Sequence, residues 1–301
     1  MTENHTNCVT ALIVTYNRSK LLQRCLEALR NQTYPVSKIL VVNNASTDDT
    51  LPRLQSEFPE AEVLNLSQNT GGAGGFSAGL SHLASKEQDF IWLMDDDAWA
   101  EPTALEELVL GTMAITPAPS FSCSRVLSPE DDAVNLPHPL LDPSSACAWD
   151  AYLTQGMLPL KACSFVSVLI PTQAVRQYGV PFAHYFLWFD DHEYTLRLSQ
   201  EKAGWYISKS VVRHARPGGL RIPDIEKETS ESRFPLYRHY FANLIETRAR
   251  HPRHFQHIVL FYRNLASILW RLAKGKKLAQ FRIAVQGMAK GILRSRNIPE
   301  K

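Results

Sequence analysis

The sequence lacks paired cysteines, a long apolar run and a leader pattern, and each absence excludes a class of protein. Its five cysteines form no C-x-x-C pair, which argues against a disulfide framework or a zinc cluster and favours a reducing cytosol. No stretch reaches the roughly 18 uninterrupted apolar residues of a membrane-spanning helix. Residues 1–10 lack the basic and apolar regions of a signal peptide. We therefore expect a cytoplasmic protein, and its 45% apolar residues suffice for a large core.

Acidic residues are scarce toward the C-terminus. Residues 245–301 contain 13 Lys/Arg but only two acids, Glu246 and Glu300, for a net charge of +11. Because the whole chain carries +2, the first 244 residues carry −9. Apolar residues recur at helical spacing here, so a basic amphipathic helical segment is predicted over 241–301. Such helices either lie on an anionic membrane surface, or pack on the fold or in a homo-oligomer with a solvated basic face.

Strand-like apolar runs alternate with helical patterns in the first 115 residues. The runs lie at 8–17, 38–44, 61–69 and 89–97. Continuous runs of this kind predict an α/β fold with a mostly parallel sheet and helices on both faces. Ligands of such sheets bind beyond the carboxyl ends of the strands. Polar segments follow each run, so a nucleotide site is expected there.

The later part of the chain is less regular. A strand is predicted at 161–171, with a short helix after it that Gly179 ends. A second helix is predicted over 190–204, with an ion pair between Glu193 and Arg197 and an end at Gly204. A strand at 205–214 follows.

Three consecutive aspartates end the run "FIWLMDDD". Asp95 and Asp97 are two residues apart, so on an extended chain their side chains project the same way. Two carboxylates there can hold Mg²⁺ or Mn²⁺, hard cations that prefer oxygen ligands. The alternative is a strand-to-helix turn in which an aspartate caps the next helix. The position in a nucleotide-binding type of sheet favours the cation.

A glycine-rich segment, "NTGGAGGF", opens a predicted helix at residues 69–76. Glycines allow a ligand to approach the backbone, and free N–H groups at a helix start suit an anion. The spacing is not the G-x-G-x-x-G of a dinucleotide fold. A flexible turn with a helix cap is the alternative.

Two further motifs carry titratable groups. Asp190 and Asp191 lie at a predicted helix start, where they either compensate the helix dipole or supply a general base. His214 ends a predicted strand and is either an ordinary histidine or a third ligand of a cation at Asp95 and Asp97.

Taken together, "IVTYNR", "VVNNASTDDT", "NTGGAGGF", the strand ending in "DDD" and "WFDDHEYTLR" resemble the inverting GT-A glycosyltransferases of family 2. The resemblance covers residues 8 to 240 and is strongest to the bacterial galactofuranosyltransferases, with rhamnosyltransferases as neighbours. It implies a GT-A catalytic domain over 1–240, with a nucleotide half to about residue 115 and an acceptor half from 116 to 240. The basic helices of 241–301 would follow that domain.

The resemblance also implies a role for each matching residue. Asp95, Asp97 and His214 would hold Mn²⁺ or Mg²⁺ on the diphosphate of a UDP-sugar, and Asp191 would be the catalytic base. Trp188 and Asp190 would lie near donor and acceptor. The residues that would border the nucleotide sugar are Thr15, Tyr16, Asn17, Arg18, Asn44, Ser46, Asn69, Gly71, Gly72, Gly74, Gly75 and Asp96.

The implied reaction is transfer of galactofuranose to a glycan or lipid-linked acceptor of a cell-surface polysaccharide or lipopolysaccharide. A dTDP-rhamnose enzyme and a non-catalytic sugar-nucleotide-binding protein are the alternatives. The Gln-x-x-Arg-Trp motif of processive synthases is absent, and "HARPGG" follows His214 where polymerising members carry a tryptophan, so a single addition is expected. No module for nucleic-acid recognition is found. The expected location is cytoplasmic, at the inner face of the plasma membrane if the basic helices bind lipid.

Overall fold

The computed structural model describes residues 7–140, 152–216, 223–255 and 258–298. These residues divide into two compact units. The first lies within Met1–His184 and Asp191–Leu220, and the second within Tyr185–Asp190 and Arg221–Lys301. The predicted boundary near residue 240 is a functional division and stays a prediction. Cys147 lies outside the described residues, and the other four cysteines are free thiols.

The first unit is built on a mixed sheet of ten strands in the order β3-β2-β1-β4-β9-β6-β10-β8-β7, with β5 paired to β10. The strands are β1 Val9–Thr15, β2 Lys38–Asn43, β3 Glu62–Asn65, β4 Phe90–Asp95, β5 Ala98–Ala100, β6 Ser122–Leu127, β7 His138–Pro139, β8 Met157–Ala162, β9 Ser167–Pro171 and β10 Gly204–His214. Its helices are α1 Ser19–Arg30, α2 Thr50–Glu57, α3 Gly71–Leu83, α4 Ala104–Met113, α5 Thr172–Tyr178 and α6 Asp190–Leu198, whose first residue belongs to the second unit.

Burial on both faces explains the continuous apolar strands. Ile13 and Met94 belong to one core with α1 and α4, whereas Leu12 and Leu93 belong to a second core with α3. Successive side chains of a strand point to opposite faces, so a strand between two helical layers must be apolar at every position. The four predicted runs of the first half are confirmed as β1 to β4.

The sheet is parallel only in part. β3, β2, β1 and β4 run parallel, as does the β6–β10 pair. β9 then runs antiparallel to both β4 and β6, and β10 pairs antiparallel with β8 and β5. The predicted parallel arrangement is therefore correct for β3, β2, β1 and β4, the half of the sheet that carries the predicted nucleotide loops. The other half is mixed.

Two predictions of element boundaries were wrong. The single strand predicted at 161–171 is two strands, because β8 ends at Ala162 and β9 begins at Ser167. The helix that begins at Asp190 ends at Leu198, and Gly204 is the first residue of β10. A Cβ atom at Gly204 would lie 2.0 Å from the ring of Phe121, so packing rather than helix termination requires glycine there. The Glu193–Arg197 ion pair is confirmed at 3.1 Å, and Gly179 caps α5 with φ 74°.

The second unit is helical. It contains a 3₁₀ segment at Glu231–Leu236 and three helices, α7 Tyr237–Arg250, α8 Ile258–Lys274 and α9 Leu278–Ser295. Phe241, Leu265, Leu272 and Ala284 form part of its core. α9 packs closely on α7, because Gly287 and Gly291 face the α7 backbone. Within the described ranges, no helix combines the length and apolar character needed to cross a bilayer.

Candidate active site

The loops after β1, β2 and β4 meet at the carboxyl edge of the parallel half of the sheet. The backbone N–H of Asn44, which follows β2, donates to the carbonyl of Thr15 at the end of β1 over 2.9 Å. The Thr15 hydroxyl donates to Asp96 Oδ2 over 2.8 Å. Strand order therefore places the segments that the sequence singles out at one edge.

Asp95, Asp97 and His214 converge at this edge. β5 pairs antiparallel with β10, which sets Ala98 opposite His214 and so brings the histidine beside the aspartates. His214 Nε2 lies 3.0 Å from Asp97 Oδ1. One ligand atom from each of the three residues lies within 4.8 Å of the others. The structure thus brings together the three predicted cation ligands.

The opposite nitrogen of His214 is held by a residue that the sequence analysis missed. Asn135 Oδ1 lies 3.0 Å from His214 Nδ1, and this contact fixes the orientation of the ring. Asn135 adopts a positive φ of 49° in the loop between β6 and β7. A second contact of this kind is usual behind metal-binding histidines. In the sequence Asn135 is simply an asparagine in a loop, and such residues are too common to indicate a contact with His214.

Arg18 supplies positive charge beside the aspartates. Its Nη1 lies 3.1 Å from Asp96 Oδ1 and 2.8 Å from Asp97 Oδ2. In the structure Arg18 lies on the carboxylates, and its predicted place beside the nucleotide stays a prediction. An arginine here offsets part of the repulsion among three adjacent negative charges.

The three carboxyl groups differ in acidity. Burial, with the charge of Asp97, raises the pKa of Asp95 to about 7. Burial also raises the pKa of Asp96 to about 6, although Arg18 acts against it. Burial raises the pKa of Asp97 as well, but the hydrogen bond and charge of His214 and the charge of Arg18 outweigh it and leave that pKa lowered. Among the described residues, Asp95 is thus the carboxylate of the three that has no hydrogen bond or ion pair to its side chain, although the charge of His214 acts on it.

A divalent cation fits these side chains. Among the described residues, none donates a hydrogen bond to the Asp95 carboxylate, whereas Asp96 accepts from Thr15 and Arg18. Two carboxylates and an imidazole form a donor set that suits Mn²⁺ or Mg²⁺. Ligands on an octahedral ion with bonds of about 2.1 Å lie about 3 Å apart when adjacent and about 4.2 Å apart when opposite. The 3.0 Å between His214 Nε2 and Asp97 Oδ1 matches the first value, and all three ligand atoms lie within 4.8 Å of one another.

Asn17 joins the loops after β1 and β2. Its Oδ1 accepts the backbone N–H of Thr47 over 2.7 Å, and its own N–H donates to Ser46 Oγ over 3.0 Å. Asn17 has a φ of 53°, a left-handed conformation that asparagine adopts more readily than most residues. Tyr16, just before it, exposes 41% of its surface. Tyr16 is therefore available to a ligand, while Asn17 and Ser46 hold the two loops together.

Asn44 shapes the glycine-rich segment. Its Nδ2 donates to the carbonyl of Gly71 over 2.9 Å, and its Oδ1 accepts the backbone N–H of Thr70 over 2.9 Å. Asn69 Oδ1 in turn accepts the N–H of Gly71 over 2.8 Å. Asn44 is almost fully buried. Its observed contacts thus position the loop.

The four glycines serve different purposes. A Cβ atom at Gly75 would lie 2.3 Å from the side chain of Val14 in β1, and one at Gly74 would lie 2.4 Å from Thr70. Those two positions are explained by close packing. Gly71 starts α3 with φ 72°, and Gly72 faces open space. The Gly71 N–H already donates to Asn69, so the anion-binding interpretation rests on the N-terminal end of α3 at Gly72.

Asp191 lies near the aspartate cluster. Its charge acts on Asp95 within the same unit. Burial raises the pKa of Asp191 to about 6, while the backbone N–H of His192 donates to its Oδ1 over 2.7 Å and acts in the opposite direction. A carboxylate with this pKa is deprotonated at neutral pH and is basic enough to accept a proton from a reacting hydroxyl. Asp190, at the first position of α6, is buried and favourably placed for the helix dipole.

In the second unit, the turn before Asp190 has an unusual backbone. Phe186, Trp188 and Phe189 all have φ values between 63° and 66°, a region that costs bulky residues energy. The buried Asn243 on α7 donates to the carbonyls of Leu187 and Trp188 over 3.1 and 2.9 Å. A strained backbone of this kind persists only where contacts with neighbouring residues stabilise it. Asn243 is a second residue that the sequence analysis missed, since a helical asparagine carries no local signal for this contact.

Comparison with known proteins identifies the domain that carries this edge. Residues 10–138 match the model of the family Glycosyl transferase family 2. Two similar curated proteins are the galactofuranosyltransferases GlfT1 of Mycolicibacterium smegmatis, 28% identical over 204 residues, and of Mycobacterium tuberculosis, 31% identical over 206. Each match covers 64% of this chain and 66% and 65% of those proteins, just under two thirds of their lengths.

Two solved structures have a similar fold. The chain is similar to the crystal structure of S. aureus TarS 1-349 at a TM-score of 0.57 and 13% identity, over 92% of this chain and 90% of that one. It is similar to the crystal structure of GalNAc-T7 with UDP, GalNAc and Mn²⁺ at a TM-score of 0.56 and 13% identity, over 82% and 51%. These likenesses identify the fold as GT-A.

Proposed function

Given that residues 10–138 form a glycosyl transferase family 2 domain on a GT-A fold, we propose that the protein is an inverting, metal-dependent glycosyltransferase. The proposed donor is UDP-galactofuranose, and the proposed acceptor is a hydroxyl of a cell-surface glycan or lipid-linked acceptor. The single observation that carries the activity is the convergence of Asp95, Asp97 and His214, with Asp191 close enough to act on Asp95. The donor is supported by the similarity to the two GlfT1 proteins.

In the proposed reaction, Asp191 accepts the proton of the acceptor hydroxyl. The freed oxygen forms a bond to the anomeric carbon of the donor. The bond from that carbon to the β-phosphate oxygen breaks, and its electron pair leaves with UDP. A divalent cation held by Asp95, Asp97 and His214 would stabilise the negative charge of this leaving diphosphate. One attack on the opposite face inverts the anomeric configuration.

The chain's other residues would prepare the site. Thr15 and Arg18 hold Asp96 away from the Asp95–Asp97 pair, and Asn135 keeps the ring of His214 oriented toward Asp97. Asn44 fixes the start of α3, where the N–H group of Gly72 would face a donor phosphate. We further propose a cytoplasmic location, since the four described cysteines are unpaired.

The donor can be tested with purified protein and a panel of nucleotide sugars. We expect UDP with Mn²⁺ to raise the melting temperature more than dTDP does, and UDP-galactofuranose to be turned over. If UDP gave no larger shift than dTDP, the galactofuranose proposal would be wrong and a dTDP-rhamnose enzyme would replace it.

The base can be tested with Asp191→Asn. Loss of a general base typically lowers turnover by about 10²- to 10⁴-fold. The amide keeps the shape of the side chain, so UDP binding should be unchanged. Full transfer in this variant would exclude Asp191 as the base. No transfer by the wild-type protein with any donor, despite UDP binding, would favour a non-catalytic binding protein.

A further inference from the structure

Several large apolar side chains of the second unit are exposed instead of packed in its core. Val259 and Trp270 on α8 are 78% and 61% exposed, and Leu278 and Leu293 on α9 are 64% and 60% exposed. Large apolar side chains gathered at this density on one unit mark an interaction surface.

On α8 the exposed residues form a strip separate from the buried face. At 100° per residue, Phe261, Leu265 and Leu272 fall within one narrow sector and face the core. Tyr262, Val259 and Trp270 fall on an adjacent sector, next to Arg263 and Lys274. The ammonium group of Lys274 lies 4.9 Å from the ring centroid of Trp270. An aromatic and aliphatic strip bordered by cations is typical of a helix that lies in a membrane interface.

α9 carries a similar strip. Val285, Ile292 and Leu293 are exposed on the side away from Gly287 and Gly291. Arg282 and Arg296 lie on the same side by helical spacing. Residues 258–298 contain nine Lys/Arg and no Asp or Glu. At least three of these cations already have partners, since Arg271 and Lys277 contact Glu226 and Arg294 contacts Asn243.

A basic groove joins the two strips. Its volume is about 230 Å³, and Tyr262 of α8 and Ile292 of α9 both line it. Arg248 and Arg296 contribute two guanidinium groups. Arg248 lies over the rings of Phe261 and Tyr262, at 5.4 and 5.8 Å from their centroids. Its Nε is buried and has no hydrogen-bond partner among the described residues. An unpaired guanidinium N–H beside a second arginine suits a phosphate group.

We propose that the exposed strips of α8 and α9 dock on an anionic phospholipid bilayer, and that the Arg248–Arg296 groove receives a lipid phosphate headgroup. The apolar side chains enter the interface while Arg263, Lys274 and Arg282 contact the headgroup layer. This binding goes beyond the proposed transfer reaction and does not depend on the donor sugar.

Charge decides between a bilayer and a second copy of this chain. In a symmetric dimer the same patch meets itself, so cations of both copies would face each other. Without acidic residues on α8 or α9, such a contact has no charge to offset the repulsion. An anionic bilayer supplies that charge continuously.

Sedimentation of the full chain with vesicles tests the docking. We expect binding to vesicles of phosphatidylcholine with about a third phosphatidylglycerol, and little binding to pure phosphatidylcholine. Raising the ionic strength from about 0.1 M to about 1 M shortens the Debye length from about 10 to about 3 Å and should weaken binding strongly. A doubly substituted Val259→Ser, Trp270→Ser chain should bind at least about tenfold more weakly.

The groove is tested by Arg248→Gln and Arg296→Gln. Each should weaken vesicle binding by about fivefold, because a basic residue at the surface contributes about 1 kcal/mol. Free inorganic phosphate at millimolar concentration should not replace the vesicles, since it offers no apolar layer. Leu110→Ser on α4 and Lys86→Gln are the matched controls, both exposed and both in the first unit.

Two results would overturn the proposal. One is equal binding of wild-type and Val259→Ser, Trp270→Ser protein to anionic vesicles. The other is a dimer in light scattering that these two substitutions dissociate, which would assign the strips to a second copy. Transfer to a water-soluble acceptor, measured in parallel, should be the same in all these variants. A failure of the donor proposal is thereby distinguished from a failure of the docking.

Discussion

Three adjacent aspartates have three different environments in this protein. Asp96 contacts Thr15 and Arg18, and Asp97 contacts Arg18 and His214. Asp95 has no side-chain donor among the described residues and carries the raised pKa that follows from burial and like charge. Hydrogen bonds and ion pairs therefore offset the repulsion at Asp96 and Asp97. At Asp95 a bound cation would offset it.

The pKa of Asp191 predicts how transfer depends on pH. The base must be deprotonated, so kcat/KM should be constant above about pH 6 and fall about tenfold per pH unit below it. Measuring kcat/KM from about pH 5 to about pH 8 with a fixed, saturating cation concentration checks this expectation. A profile that kept its full value at pH 5 would contradict a base with this pKa.

Cation binding should depend on pH at the same site. Asp95, with a pKa of about 7, must lose its proton to become a ligand, and His214, whose pKa is raised, must be neutral. On His214, burial alone lowers the pKa, but the hydrogen bond to Asp97 and the charges of both aspartates outweigh it. Protons compete with the ion, so the rise in melting temperature with Mn²⁺ should grow between about pH 6 and about pH 8.

The variant Asp97→Asn tests the proposed cation site. This variant should lose most of the Mn²⁺-dependent rise in melting temperature, and chelation with EDTA should abolish transfer by the wild-type protein. Asp89→Asn, outside the ligand group, is the control. An equal Mn²⁺ shift in Asp97→Asn would exclude Asp97 as a ligand.

At the scale of single residues, the sequence predicts which groups could bind a cation but not what holds them. The ligand group follows from residue types that are rare together at strand ends. Asn135, Asn243 and the carboxylate contacts of Arg18 depend on which loops meet. Sequence separations of 79 residues for Asn135–His214 and 78 for Arg18–Asp96 remove any local signal for these contacts.

Loop order at the carboxyl edge depends on short polar side chains. Asn44→Ala would remove the hydrogen bonds that Asn44 makes to the buried Gly71 carbonyl and the half-buried Thr70 N–H. A hydrogen bond of this kind contributes about 0.5–1.5 kcal/mol, so the free energy of unfolding should fall by about 1–3 kcal/mol. We also expect a higher KM for the nucleotide sugar, because the start of α3 loses its fixed position.

Chemical denaturation and steady-state kinetics of Asn44→Ala measure both effects. Asn264→Ala, at an exposed position of α8, is the control and should leave both values nearly unchanged. An unaltered KM in Asn44→Ala would show that the position of the glycine-rich segment does not affect donor binding.

Close packing of α9 on α7 gives a prediction for the second unit. A Cβ atom at Gly291 would lie 2.6 Å from the carbonyl oxygen of Ala242 and 2.9 Å from the Cβ of Ile245. Backbone atoms cannot yield as a flexible side chain can, so Gly291→Ala should lower the free energy of unfolding by about 1–3 kcal/mol. Gly72→Ala meets nothing within 4 Å and should be neutral or stabilising by about 0.5–1 kcal/mol. Thermal melts of the two variants, compared at the same pH, check the contrast.

Elements with a strong periodic or continuous apolar pattern are those the sequence predicts well. β1, β2, β4 and α7 to α9 have such patterns, because each of these strands is buried on two faces and each helix on one stripe. β3, at the edge of the sheet, is only half-buried. The pairing directions of β8 and β9 carry no such pattern, since antiparallel and parallel neighbours bury similar side chains. The prediction that Gly204 ends a helix fails for a related reason. The ring of Phe121, 83 residues earlier in the chain, leaves no room for a side chain at Gly204, and no local pattern indicates this contact.

On the scale of the whole molecule, charge is divided along the chain. The first 244 residues carry −9, and residues 245–301 carry +11. The candidate transfer site lies in the acidic part, and the proposed lipid surface lies in the basic part. A net charge of +2 therefore understates how strongly the protein should respond to an anionic surface.

Hydrogen exchange should reveal two separate footprints. UDP with Mn²⁺ should slow exchange at residues 15–18, 44–47 and 69–72, and leave α8 unchanged. Anionic vesicles should slow exchange at residues 258–263 and 270–277, and leave the first group unchanged. The comparison requires the same full-length protein in each arm. One common footprint for both ligands would contradict two independent binding surfaces.

The pairing of β5 with β10 also has a consequence for synthesis. His214 follows Asp97 by 117 residues. At translation rates of about 5–20 residues per second, Asp95 and Asp97 leave the ribosome about 6–23 s before His214 does. Until β10 has emerged and paired, a nascent chain carries an acidic triplet with neither its histidine nor a completed sheet. Binding of the proposed cation at this edge would thus be a late event in the life of the chain, one that follows the completion of the sheet.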